Sequence, residues 1–188
     1  MKATRVAAYA ALYTAAAYIV DVPVRRALAA RRARAYADAK GLPLLNVGAG
    51  TNGVGLWSND ARCKAGQSAC YPGTLYGDVN VDITGRRDVP HGTPGVVTYA
   101  DAENLKDFKA GQFGAVLASH VLEHLDHPMA ALREWVRVTG KDPGALFIVT
   151  PSWWAPHAYW NSGHKFLFTD GAACIDTDCV PFQFRSTT

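Results

Sequence analysis

Residues 44–53, LLNVGAGTNG, place a glycine-rich loop directly after a short apolar run. The apolar run has the composition of a buried strand, and the loop contains the pattern G-x-G-x-x-G. Glycines at these positions let the backbone turn tightly and approach a phosphate-bearing or related ligand. The stretch therefore predicts a nucleotide-type cofactor at the end of the first strand, and by itself it leaves the identity of that cofactor open.

Further short apolar segments follow this strand, with helical or loop segments between them. The expected strands are residues 42–47, 80–83, 96–99, 113–119 and 145–150. Residues 129–138 are expected to form an amphipathic helix, with Leu132, Trp135 and Val136 on its apolar face. Apolar strands that alternate with helices are typical of a parallel sheet covered on both faces, whose ligands bind at the carboxyl ends of the strands.

The charge of the chain is unevenly distributed. The 188 residues are 49% hydrophobic and 19% charged, which is typical of a globular protein, and the formal net charge is +3. Residues 1–40 contain eight basic and two acidic residues, so residues 41–188 carry a balance of −3. We therefore divide the chain into a basic helical arm, residues 1–40, and a domain, residues 41–188. The negative balance argues against nucleic acid as a partner of the domain.

The arm contains an apolar, alanine-rich run at residues 6–20 and a helix-forming segment at residues 24–39. The run is shorter than the roughly 20 residues that span a bilayer. Three interpretations remain open: an interfacial or anchoring helix on an anionic membrane surface, a helix packed on the domain or on a protein partner, and a cleaved signal peptide. Basic residues after the run disfavour secretion, so the expected location is cytoplasmic, with membrane association under the first interpretation.

Five ordered segments within residues 43–170 resemble the class I S-adenosylmethionine-dependent methyltransferases, in particular the methyltransferase type 11 group. They are LLNVGAGTN, NVDIT, YADAENL, FGAVLASHVLEHLDHP and LREWVRVTGKDPGALFIVTPSW. A dinucleotide enzyme does not predict the last two segments, and it places its ribose-binding acid about 20 residues after the loop. Here Asp82 follows Gly50 by 32 residues, and an insertion at about residues 57–75 occupies that distance.

The resemblance implies an α/β fold: a Rossmann-like three-layer sandwich with a mostly parallel sheet, trimmed at its C-terminus, where residues 180–184 form the candidate sixth strand. It also implies methyl transfer from S-adenosylmethionine to an acceptor that the sequence does not identify. Asp82 would accept hydrogen bonds from the ribose hydroxyls and Asp101 from the adenine amino group. The full set of implied cofactor-binding residues is Asn46, Gly48, Ala49, Gly50, Asp82, Ile83, Asp101, Ala102, Ser119 and His120.

Two asparagines depart from the first motif of the family. Asn46 stands where an acid is usual, and Asn52 stands where the third glycine is usual. Asparagine tolerates positive φ, so the turn can form, but loss of the acid weakens the hold on the methionine end of the cofactor. These departures and the short C-terminus leave a second function open: a non-catalytic methyltransferase-like module that serves assembly or membrane association.

Histidines supply the candidate catalytic groups. Residues 120–124 spell H-x-x-E-H, the inverted zinc-protease signature. The methyltransferase-like context accounts for this segment without a metal, so no metal site is expected, and His124 is expected to be structural. The candidate catalytic residues are His120, His157 and His164. His157 and His164 are the candidate general bases, since imidazole titrates near neutrality, whereas His120 is expected to pack against the cofactor loop. Proximity and orientation without a base is the alternative.

Two groups of residues keep open interpretations. Aromatic rings after the fifth strand form either a substrate platform or a plug at the edge of the core. These rings belong to Trp153, Trp154, Tyr159 and Trp160. The cysteines form the pairs Cys63/Cys70 and Cys174/Cys179, without the C-x2-C spacing of a strong zinc site. Free thiols, two disulfides and a shared metal all remain possible states for them.

Overall fold

The computed structural model describes residues 22–50, 76–142, 145–151, 159, 161–168 and 184–186. Its helices are α1 (Val22–Lys40) and α2 (Pro128–Val138), with a 3-10 helix at Leu122–His124. Its strands are β1 (Leu44–Val47), β2 (Val79–Asp82), β3 (Val97–Tyr99), β4 (Ala115–Ser119), β5 (Leu146–Val149), β6 (Phe166–Phe168) and β7 (Phe184–Ser186).

Strands β1 to β5 form one parallel sheet in the order β3-β2-β1-β4-β5. Leu45 of β1 pairs with Val79 on one side and with Val116 on the other, which places β1 at the centre. The connection direction reverses between β1 and β4, and such a reversal opens a crevice at the carboxyl ends of the strands. The five predicted sheet strands and the α/β fold class are confirmed.

The two faces of the sheet are covered by different helices. Alternate residues of a strand point to opposite faces, so Leu44 and Leu117 pack with α1, while Leu45 and Val116 belong to the larger core that includes α2. The α2 helix is confirmed, and the buried residues of its apolar face include Ala131, Leu132, Trp135 and Val138. Val136, predicted on that face, is only half-buried, because the buried stripe follows the spacing of residues 128, 131, 135 and 138.

Helix α1 confirms the helix predicted at residues 24–39 and forms a layer of the sandwich. Ala30, Ala33 and Ala37 are buried against the sheet, and their small side chains allow a close approach. A Cβ on Gly114 would lie only 2.8 Å from the Cα of Ala37. The C-terminal half of the arm therefore shares its core with the domain. Among the residues that the structure describes, no helix is long and apolar enough to cross a membrane.

Near the C-terminus, β6 and β7 form a separate antiparallel pair in which Phe166 is opposite Ser186. The strand predicted at residues 180–184 overlaps β7 only at Phe184, and β6 was not predicted. Several sequence predictions fall outside the described residues. They concern the apolar run 6–20, Asn52, the insertion 57–75, the four cysteines, Trp153, Trp154, His157 and Trp160.

Candidate functional site

A cavity of about 420 Å³ lies at the carboxyl ends of the central strands, within the range of small-molecule sites. Six of the predicted site residues line it: Gly48, Asp82, Ile83, Asp101, Ala102 and His120. The other lining residues are Val47, Ala100, Glu103, Val121, His124, Leu125 and Asp126. The cavity therefore joins the residues that follow β1, β2, β3 and β4, as expected for a sheet of this topology.

The glycine loop leaves β1 in a conformation that few other residues adopt. Gly48 has φ +66° and Gly50 has φ +72°, both in the left-handed region that favours glycine. A Cβ on Gly48 would meet the Cγ2 of Val121 at 2.1 Å. The Ala49 N–H donates to the Val81 carbonyl oxygen at 3.0 Å. The loop thus turns tightly over the end of β2 and packs against the segment that follows β4.

Asp82 links this loop to the end of β2. Its Oδ2 accepts a hydrogen bond from the Gly50 N–H at 3.0 Å. Its Oδ1 accepts from the Thr84 N–H at 2.9 Å and from the Thr84 hydroxyl at 2.7 Å. A carboxylate offers about four acceptor positions, so Asp82 holds the loop and retains acceptor capacity toward the cavity.

The segment after β3 is fixed by hydrogen bonds within it and from α2. Asp101 Oδ1 accepts from the Glu103 N–H at 2.9 Å, and the Ala102 carbonyl accepts from the Trp135 indole N–H at 3.0 Å. Glu103 Oε1 accepts from the His127 N–H at 2.8 Å. Burial alone would raise the pKa of Glu103, but hydrogen bonds from the backbone and ring of His127 and from the Asp126 backbone stabilise its anion and lower the pKa overall.

The next turn is held by an ion pair of α2. Glu134 and Arg137 lie in contact, with the Arg137 Nε 2.8 Å from Glu134 Oε1. Arg137 also donates to the carbonyls of Leu105 and Phe108, both at 2.9 Å, while Glu134 accepts from the Leu105 N–H. The hydrogen bond from Arg137 lowers the pKa of Glu134. This pair fixes the turn that follows the lining residues after β3, without lining the cavity itself.

His120 has an unusual backbone at the carboxyl end of β4. Its φ of +58° is in the left-handed region, which is uncommon for a non-glycine residue and is often found at functional sites. Its Nδ1 lies 3.2 Å from Glu123 Oε1, and Glu123 is only 1% exposed. Among the described residues, neither Glu123 carboxylate oxygen has a hydrogen-bond partner. A buried carboxylate therefore stands directly behind the cavity.

His124 and His164 lie next to this carboxylate. The two rings contact each other edge to face with centroids 4.8 Å apart. His124 Nδ1 lies 2.8 Å from the Gly163 carbonyl oxygen. His124 lines the cavity, whereas His164 is buried behind it and is not among the described lining residues. His120 is therefore better placed than His164 to reach a bound molecule.

Four other predicted cofactor residues are not among the described lining residues: Asn46, Ala49, Gly50 and Ser119. The buried Asn46 amide donates to Asn80 Oδ1 at 3.0 Å and thereby joins β1 to β2. The Ser119 hydroxyl accepts from the Arg26 guanidinium at 2.9 Å. Their contact with a cofactor stays a prediction.

Sequence reasoning missed two groups at the site. Arg26 was assigned to a separate arm, although α1 brings it to the end of β4. Glu123 was expected at the carboxyl end of β4 beside His120 but was given no role, because its burial depends on the packing of β6. The motif H-x-x-E-H was the available signal for Glu123, but no pattern in the arm pointed to Arg26.

Comparison with known proteins gives one family. Residues 78–148, which run from the start of β2 to β5, match the family model described as "Methyltransferase domain". No curated protein and no solved structure gives a significant match to the chain. The match contains the acidic residues after β2 and β3 and the H-x-x-E-H segment, and it confirms the resemblance seen in the sequence. Residues 78–148 therefore match a methyltransferase domain, which supports a class I S-adenosylmethionine-dependent methyltransferase in this part of the chain.

Proposed function

We propose that the protein transfers a methyl group from S-adenosylmethionine, bound in the cavity, to an acceptor. The observation that carries this proposal is the convergence of Gly48, Asp82 and Asp101 on one cavity at the ends of three neighbouring strands. Gly48 lines the cavity at a tight turn, and Val121 occupies the space where a side chain at position 48 would lie. When bound, S-adenosylmethionine would supply an electrophilic methyl group on its sulfonium.

The polar and apolar lining suits an adenosyl group. Asp82 has about one acceptor position left for a ribose hydroxyl, since three are used by Gly50 and Thr84, and Asp101 offers an acceptor to an exocyclic amine. Ile83 is 58% exposed and lines the cavity with Leu125, so both present apolar surface for a planar base. Burial of such exposed apolar surface by a ligand is favourable.

His120 is the residue that we assign to the acceptor. Its ring lines the cavity, its Nδ1 lies 3.2 Å from Glu123 Oε1, and its Nε2 is buried without a hydrogen-bond partner among the described residues. An oxygen or nitrogen acceptor loses a proton when it is methylated, and His120 would hold that proton. Transfer would be a direct displacement, so the chain would need no covalent intermediate of its own.

Isothermal titration of the full chain with S-adenosylmethionine and S-adenosylhomocysteine tests the proposal. The intact protein is expected to bind both, and Asp82→Asn is expected to weaken binding by about 10- to 100-fold, because hydrogen bonds to a charged group are lost. Asp88→Asn is the matched control, since Asp88 is exposed and pairs with Arg86 outside the cavity.

The free energy of unfolding of each variant must be measured as well, because Asp82 also holds the glycine loop. Absence of binding by the folded wild-type chain at millimolar ligand would overturn the enzymatic proposal. That result would favour the non-catalytic module as the function of this domain.

A further inference from the structure

The cluster of Glu123, His124 and His164 lies where the 3-10 helix after β4 meets the segment before β6, with Glu123 and His164 buried and His124 half-buried. One potential ligand atom from each of these side chains lies within 4.8 Å of the other two. We propose that the cluster is a binding site for a divalent transition-metal ion of the Zn²⁺ class. This proposal does not depend on methyl transfer, and it departs from the expectation drawn from the sequence that no metal is bound.

Glu123 carries the first part of the inference. It is 1% exposed, and neither of its carboxylate oxygens has a hydrogen-bond partner among the described residues. A buried ionised carboxylate is costly unless a positive charge or a metal compensates it. His120 lies within ion-pair distance, at 3.2 Å, but it is a cation only when its ring is protonated. A bound metal ion would satisfy both the charge and the lone pairs of Glu123.

The hydrogen bond of His124 carries the second part. The Gly163 carbonyl oxygen can only accept, so the His124 Nδ1 at 2.8 Å must carry the proton. In the neutral ring the lone pair then lies on Nε2, the atom that would bind a metal. Metal-binding histidines usually donate their other ring N–H to a backbone carbonyl or a carboxylate in this manner.

His164 completes the set, and the backbone around it is well fixed. The ring of His164 is 8% exposed and contacts the ring of His124. The Lys165 N–H donates to the Glu123 carbonyl at 2.7 Å, and the His164 N–H donates to the Asn161 carbonyl at 3.0 Å. The ligands therefore come from two segments that are already joined by hydrogen bonds, which lowers the cost of assembling a site.

Two imidazoles and one carboxylate are a known ligand set for zinc and for other divalent transition metals, with further positions left for water. His124 also lines the cavity, so a metal here would lie at the wall of the cavity. The H-x-x-E-H pattern thus contributes Glu123 and His124. His164 takes the place that the inverted zinc-protease signature gives to His120.

Titration of the metal-free full chain with Co²⁺, followed by absorption, tests the site, with Zn²⁺ used to displace Co²⁺. We expect one Co²⁺ ion with visible d–d bands and no thiolate-to-cobalt charge-transfer band. Glu123→Gln and His164→Gln are each expected to weaken that binding by at least about 10- to 100-fold. His127→Gln is the matched control, because His127 is exposed and pairs with Glu103 outside the cluster.

The spectrum separates this site from the cysteines, which would produce a thiolate band that the two variants leave unchanged. Circular dichroism of each variant checks that it is folded. Absence of such a Co²⁺ spectrum in the folded wild-type chain would overturn the proposal. Binding that stays within about threefold in a folded Glu123→Gln or His164→Gln chain would overturn it too, since a lost ligand should cost more.

Discussion

Gly48 is a residue at which the loop after the first strand packs against the segment after the fourth strand. Val121 fills the space that a side chain at position 48 would need, since its Cγ2 lies 2.1 Å from the point that a Cβ would occupy. Gly50 has a similar φ, but a Cβ there would have nothing within 4 Å among the described residues. The two glycines thus separate the cost of backbone conformation from the cost of steric overlap.

Gly48→Ala is expected to cost more stability than Gly50→Ala. Each substitution places alanine at positive φ, at about 1–2 kcal/mol, and Gly48→Ala adds overpacking against Val121 at about 1–3 kcal/mol. Chemical denaturation of both variants measures the difference in the free energy of unfolding. Equal losses would show that Val121 moves aside without cost.

Among single residues, the sequence predicted the cavity-lining residues that stand at the carboxyl ends of strands. Asp82 and Asp101 line the cavity because the carboxyl ends of parallel strands meet at one edge of the sheet. The partners of Asn46 and Ser119 could not be predicted, since Asn80 and Arg26 lie 34 and 93 residues away in the chain. Such pairings depend on side-chain directions that local patterns do not contain.

Helix α1 is the element whose role differed most from its appearance in the sequence. Packing on the domain was one of three open interpretations of the arm, and the buried face of this helix consists of alanines rather than large apolar residues. Alanine gives little hydrophobic contrast along the helix, so the packed face is hard to recognise. Polar contacts reinforce the packing, as the Tyr36 hydroxyl donates to Asp142 Oδ2 at 2.9 Å.

Ala33→Leu is expected to destabilise the protein by about 1–3 kcal/mol, because Ala33 is fully buried against the sheet and a larger side chain has no space there. Ala35→Leu is the control on the exposed face of the same helix, and it should change stability by less than about 0.5 kcal/mol. Thermal and denaturant unfolding measure both. Equal tolerance of leucine at the two positions would mean that α1 is a detachable arm.

For the whole molecule, the parallel sheet followed from apolar strands alternating with helices, and its class was predictable before any contact was known. The β6–β7 pair was not, because strands of three residues are too short to show a period of two. Their pairing also depends on the fold of the preceding sheet. Local sequence patterns therefore predict the parallel sheet, whereas the β6–β7 pair near the C-terminus depends on tertiary packing.

Asp78 links three elements of the molecule. Asp78 lies one residue before β2 begins. Its Oδ2 accepts a hydrogen bond from Arg34 of α1 at 2.7 Å and from the Leu44 N–H of β1 at 2.8 Å. Burial alone would raise the pKa of Asp78, but the hydrogen bonds from Arg34 and Leu44 outweigh it, so the pKa is lowered. The anion is therefore favoured in the folded state relative to the unfolded state.

The lowered pKa of Asp78 predicts how the free energy of unfolding depends on pH. The contribution of Asp78 is complete above its ordinary pKa of 3.8 and is lost as the pH falls through the lower folded value. Asp78→Asn should lower the free energy of unfolding by about 0.5–1 kcal/mol near neutral pH, since solvent screens this partly exposed pair. In acid, the difference in free energy of unfolding between variant and wild type should disappear. Denaturant unfolding across pH, with exposed Asp107→Asn as control, checks this, and a gap that stays constant into acid contradicts it.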